Sequence, residues 1–281
     1  MKNKILLFAS LMLTLASCSK NDDPVVVPPT STPVDTSGDN VVTTYANLTA
    51  MNSWIFDTSK IVSPSTTAEL RTETLFVGLD YINNGFTYKT MTTPNATANG
   101  YYCNQLKDNK LRIDGSSLKM SGSFKFNIGT NNFEFPVTDF VIFKENAVSG
   151  TNCGTPASNT IASPVTLGTA TYVVNVAYTV TAVAGDYYAS KTFGTKTYND
   201  VKKVTITIAI DATTVLPAPI GLTPVLSSRP QDVIVSEQYY AKGFGMVDAK
   251  TIVSYTFSPF IQSQLPATIA PSGLQTITDR L

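Results

Sequence analysis

Histidine is absent from the 281-residue chain, and that zero rules out more chemistry than any motif present rules in. Serine and cysteine nucleophiles of the Ser-His-Asp and Cys-His kinds need an imidazole to take the proton. Catalytic zinc sites built on histidine go with them. Serine–lysine hydrolysis and glycoside hydrolysis by paired carboxylates pass this test. Neither has a local signature, since no Ser-x-x-Lys stands at a helix start. The run Asp108-Asn109-Lys110 through Asp114-Gly115 has the acids and the glycine of a calcium loop. Lysine occupies a ligand position, however, and no glutamate closes the loop, so it reads as a turn. Asn47-Leu48-Thr49 and Asn95-Ala96-Thr97 match a glycosylation acceptor that carries weight only in eukaryotic secretion. No catalytic, metal-binding or cofactor-binding residue is assigned, and the expectation is a non-enzymatic protein without a cofactor.

The three cysteines are Cys18, Cys103 and Cys153. Ahead of Cys18 stand a basic flank with Lys2 and Lys4, an apolar run from Ile5 to Leu15, and the small residues Ala16 and Ser17. That is the three-part layout of a secretory signal. Its apolar core is too short to cross a bilayer, which takes ~20 helical residues. Leu15-Ala16-Ser17-Cys18 resembles the lipobox of bacterial lipoproteins. The resemblance implies removal of residues 1–17 and acylation of Cys18, so that the lipid bilayer is a partner through chains that each add ~0.8 kcal/mol per buried methylene. Asp22-Asp23, close behind, is similar to the export signal of Bacteroidetes surface lipoproteins. It implies an outer-membrane anchor facing the cell exterior, with the periplasmic face as the alternative. Cys103 and Cys153 then remain as a pair in an oxidising compartment, which favours a disulfide worth ~4 kcal/mol in the chain-entropy model. The alternative is two buried free thiols.

Residues 18–40 include PVVVPPTSTPVDTSGDN, where prolines and small polar residues leave little to bury, so this stretch reads as a flexible stalk. Residues 41–281 are expected to form a single domain, although Pro164 could divide it in two. Without residues 1–17 the chain holds slightly more acidic than basic residues and no basic block, so nucleic acid is a poor partner.

The elements that would position any site are strands. From Leu118 the even positions Leu118, Met120, Phe124, Phe126 and Ile128 alternate with polar neighbours, and Phe133, Phe135, Val137, Val141 and Phe143 resume the pattern after a turn. Val204, Ile206, Ile208 and Ile210 alternate likewise. Residues 73–82 and 86–92 flank Asn83-Asn84-Gly85, a strong hairpin signal. Residues 101–106, 110–114, 169–183, 233–241 and 251–257 are further strand candidates. The fold class is all-β and mainly antiparallel: a curved open sheet or half-barrel, with a β-sandwich as the alternative.

Two segments carry the functional expectations. Ala212–Asp232 is about twenty residues without a strand pattern, and it is apolar, with Val215, Leu216, Ile220, Leu222, Val225 and Leu226 set among prolines. Such a loop suits covering an apolar cavity or meeting a partner; otherwise it tucks over the core edge. In Tyr240-Ala241-Lys242-Gly243-Phe244-Gly245-Met246-Val247 the alternate small residues would share one face of an extended strand, allowing a close approach or a sharp bend. This segment and the upstream Tyr198-Asn199-Asp200-Val201-Lys202-Lys203-Val204 together resemble uncharacterised Bacteroidetes surface lipoproteins, whose sheets are similar to the half-barrels of LolA-type lipid carriers. The resemblance covers the last third of the chain, and Phe244 departs from the usual aliphatic residue. It implies a tethered binding or carrier module for an apolar ligand. The alternative is a glycan-binding or adhesive surface protein, which exposed tyrosines in a row would favour, Trp54 being the single tryptophan.

Overall fold

The computed structural model describes residues 45–94, 100–128, 131–167, 170–216, 219–265 and 269–281. All of them belong to one compact unit. Cys18 and residues 18–40 lie outside the described residues. The strands are β1 (Ser53–Val62), β2 (Glu69–Asn83), β3 (Phe86–Thr92), β4 (Lys110–Asp114), β5 (Ser117–Ile128), β6 (Asn131–Lys144), β7 (Ala157–Leu167), β8 (Ala170–Phe193), β9 (Lys196–Leu216), β10 (Gly221–Pro224), β11 (Gln231–Ala241), β12 (Gly245–Thr256) and β13 (Ser272–Arg280). Two short helices interrupt them, α1 (Tyr101–Leu106) and α2 (Pro259–Gln264).

Twelve strands form one antiparallel sheet in the order β6-β5-β4-β3-β2-β1-β13-β12-β11-β9-β8-β7, with β10 paired to β9. The sheet is nearly closed and barrel-shaped, so the all-β curved sheet is right and the sandwich alternative is not. β1 and β13 join the two ends of the described chain, pairing Thr58 with Asp279. The two free edges, β6 and β7, approach each other: the Tyr178 hydroxyl on β8 donates to the Pro136 carbonyl on β6 at 2.6 Å. Each edge strand carries a proline, Pro136 and Pro164, which removes a backbone donor and blunts the edge against further pairing. Pro164 therefore marks an edge rather than a domain boundary.

A twelve-stranded barrel encloses more space than facing side chains fill unaided. Here aromatic side chains and α1 fill it. Phe126 packs against Phe133, Phe135 and Tyr255, and Phe56 meets Tyr102 of α1 edge-on. Sequence reasoning expects residues 101–106 to be a strand; the structure makes them helical, and five of the six are buried. Tertiary packing overrides the β propensity of Tyr101-Tyr102 because two inward carboxylates take up the amides at the start of the turn. From the last turn of α1 onward, the Gln105 and Asn109 side chains continue the ladder where β4 stops. Gln105 exchanges two hydrogen bonds with the Lys125 backbone, each at 2.7 Å. Asn109 does the same with Ser123, each at 2.9 Å.

Candidate functional site

The apolar segment after Ala212 is not an open loop. β9 runs on to Leu216, and β10 folds back on it, pairing Gly221 with Leu216 and Leu222 with Val215. Gly221, with φ of 71°, supplies the left-handed backbone the turn needs. Strand alternation then divides the six predicted contact residues. Leu216, Val225 and Leu226 are buried, whereas Val215, Ile220 and Leu222 are exposed. Val225 and Leu226 roof a cavity of about 40 Å³, whose walls include Phe133, Val176, Phe257 and Ile261. α2 locks this roof: the Ser258 hydroxyl donates to the Pro224 carbonyl at 2.7 Å and the Ser258 amide to the Val225 carbonyl at 2.9 Å. Ligand pockets typically measure ~300–1,000 Å³. The space admits the tip of an alkyl chain and no whole lipid.

Cys103 and Cys153 are both free thiols, so the expected disulfide is absent. Their backbones are fixed independently. Cys103 belongs to α1, and the Cys153 amide donates to the Ala182 carbonyl on β8 at 2.7 Å. Burial pushes both thiols above the usual range, and neighbouring Asp279 and Glu73 push Cys103 further. With little thiolate, both behave as small apolar side chains rather than nucleophiles.

The glycines near Tyr240 make a tight connection rather than an extended strand. β11 ends at Ala241 and β12 begins at Gly245, with φ of 82° at Gly243 and 96° at Gly245. The Trp54 indole N–H donates to the Phe244 carbonyl at 2.7 Å, and a Cβ on Gly245 would sit 3.2 Å from that nitrogen. The glycines thus admit Trp54. The single tryptophan is used to join β1 to this turn.

Two clusters were not legible in the sequence. One is a pair of buried acids, Glu73 on β2 and Asp279 on β13, both facing α1. Both Glu73 oxygens accept from the Gly100 amide at 3.1 Å, and Asp279 Oδ2 accepts from the Tyr102 amide at 3.0 Å. Two neighbouring carboxyl groups meet the composition that glycoside chemistry requires. With exposures of 1% and 0%, however, the pair lies sealed inside the barrel, where no sugar reaches.

The other is on the outer face of β2, β3 and β4. Register sets Tyr81 opposite Tyr88 and Phe86 opposite Asn83. Residues directly opposite share a face, and Lys89 opposes the buried Leu111, so Tyr88 and its row point outward. Tyr81 is 41% exposed and Phe86 44%. The Lys110 ammonium lies 4.7 Å from the Tyr81 ring centre, and the Arg112 guanidinium 4.2 Å from that of Phe86. Arg112 is in turn held by Asp139 through hydrogen bonds of 2.9 and 2.8 Å, and Tyr88 donates to the same carboxylate at 2.6 Å. Those hydrogen bonds hold the Asp139 carboxyl below the usual carboxylate range. Asp114 lies 3.3 Å from Arg112 as well. The result is an aromatic ledge in which Arg112 is fixed and its charge matched in place. A β-bulge between Val77 and Asp80 changes which side chains of β2 face out, a break that alternation alone does not show.

Among the described residues no group of three or more Cys, Asp or Glu side chains could hold a metal ion. Comparison with known proteins finds no matching family model, no matching curated protein and no matching solved structure. The likeness to Bacteroidetes lipoproteins therefore rests on the residues quoted above.

Proposed function

We propose that this chain is a membrane-tethered, non-enzymatic binding module that recognises neutral glycans with the outer face of β2–β4. The observation that carries the reading is the pair of half-exposed rings, Tyr81 and Phe86, set on one face, with Lys110 against Tyr81 and, against Phe86, an Arg112 held by Asp139 and Asp114. Flat aromatic faces take the apolar side of a sugar ring, and flanking polar groups such as Asn83 and Lys110 supply hydrogen bonds. With the Arg112 charge matched in place by Asp139 and Asp114, the ledge suits a neutral sugar better than an acidic one. The signal-like segment ending at Cys18 supports the tether, and the filled interior argues against enclosure of a large ligand.

A second reading, apolar carriage, draws support from the cavity beneath Val225 and Leu226, whose lining is hydrophobic apart from Asn131. A panel of neutral and acidic oligosaccharides, tested on the domain from Val41 onward, decides the first reading. Retention of neutral members that is lost in Tyr81→Ala supports it, and no saccharide binding at millimolar concentration sinks it.

A further inference from the structure

The buried acids carry an inference that does not depend on the ligand. Phe56, Thr58, Glu73, Leu75, Ile277 and Asp279 all point inward from three adjacent strands, β2, β1 and β13. Asp279 Oδ1 is buried and finds no hydrogen-bond partner. A Cβ on Gly100 would collide with that oxygen and would lie 2.9 Å from Glu73 Oε2, so the two carboxyl groups converge on one point above the glycine. The groups acting on Asp279 are Glu73 from β2, Asp248 from β12, and the Tyr101 and Tyr102 amides from α1. Tyr101, Tyr102 and Cys103 add groups on α1 that are neutral at ordinary pH, their burial raising each of them. Arg280, next along β13, is engaged with Asp248 at 2.7 Å.

An orphaned carboxyl oxygen in an apolar interior costs about 1–3 kcal/mol or more, and two converging carboxylates cannot both stay charged cheaply. A proton on Asp279 eases both penalties, because it removes the buried charge on which they act. We propose that Asp279 carries a proton in the folded chain, and that this neutral acid beside Glu73 latches α1 into the barrel in a pH-dependent way. Raising the pH removes the proton, leaves a buried charge on Asp279 beside Glu73, and weakens the hold on α1.

Burial, with Glu73 adding to it, pushes Asp279 up to about 7. An acid raised on folding binds its proton in the native chain where the unfolded chain has already lost it. Stability therefore falls as pH rises from about 4 to about 7, and is level above that. Carboxylates held low in the fold, such as Asp139 and Asp114, act in the opposite direction and below this window.

The test is urea unfolding of the domain from Val41 onward between pH 4 and 9, with Asp279→Asn, in which an amide takes the place of the acid. In the unaltered domain the midpoint should fall across pH 4–7. In Asp279→Asn that fall should be clearly smaller, the remainder coming from Asp248, which burial also raises, with a midpoint at pH 8 no lower than that of the unaltered domain. A flat or rising midpoint in the unaltered domain, or an unchanged slope in the variant, overturns the proposal. Should Asp279→Asn not fold, the infrared C=O band of a protonated carboxyl in the unaltered protein decides. Its presence at pH 6 and loss by pH 9, shifted to lower pH in Glu73→Gln, supports a protonated Asp279; no such band at pH 6 overturns it.

Discussion

Asn109 and Ser123 pair as though they were neighbouring strand residues: the Asn109 amide donates to the Ser123 carbonyl, and the Ser123 amide donates back to Asn109 Oδ1, both at 2.9 Å. Gly122 makes room for this, since a Cβ there would collide with Asn109 Oδ1. Asn109→Ala leaves a donor and an acceptor of β5 unpaired, so a loss of about 2–3 kcal/mol is expected. Chemical denaturation measures it, and Gly122→Ala should destabilise through the same contact.

Cys103 and Cys153 should be silent to a thiol reagent in the folded domain and should both react once it is unfolded in urea without reductant. The buried thiols, raised by desolvation, set this expectation. Failure of the unfolded, unreduced domain to react would reinstate the disulfide.

Tyr240 is fully buried and its hydroxyl donates to Gln238 Oε1 at 2.8 Å; Gln238 donates to Ser236, which meets Thr251 at 2.8 Å. Tyr240→Phe removes one end of this chain and should cost about 1–2 kcal/mol with little change in shape. Gln238→Leu should cost more, because it strands the groups on both sides.

The Arg112–Asp139 fork fixes the aromatic ledge. Asp139→Asn should lower stability by about 1–2 kcal/mol at pH 7. Asp139 is held below its unfolded range, so its contribution is complete at neutral pH and is lost as pH falls through the folded value. The variant and the unaltered domain should accordingly converge in acid, below the usual carboxylate range, when their unfolding midpoints are compared.

Alternation with strong turn residues marks strands well: β3 and β4 begin and end where Phe86–Thr92 and Lys110–Asp114 lead one to expect, and Asn84 and Gly85 both take positive φ in the turn. β1 and β13 escape that logic because Thr58 and Asp279 are inward yet polar, so each strand seems to face water on both sides. The same residues hide the acid pair, since Glu73 and Asp279 lie far apart in the chain and meet only through β1. Val215 to Leu226 shows the converse: apolar composition is visible, but the hairpin that turns Val215 and Leu222 outward depends on the local turn at Gly221. Tyr81 and Phe86 are plain in the sequence, and their exposure is not, because the bulge after Val77 alters the facing of β2.

The most direct test of the outer-face account compares three proteins on one neutral oligosaccharide retained by the domain: unaltered, Tyr81→Ala/Phe86→Ala, and Ala212→Val, which fills the interior cavity. Losing two ring contacts of about 0.5–1.5 kcal/mol each should weaken binding roughly tenfold, while Ala212→Val should bind as the unaltered domain does. Unchanged affinity in the ring variant, or loss confined to Ala212→Val, would contradict recognition by the outer face of β2–β4.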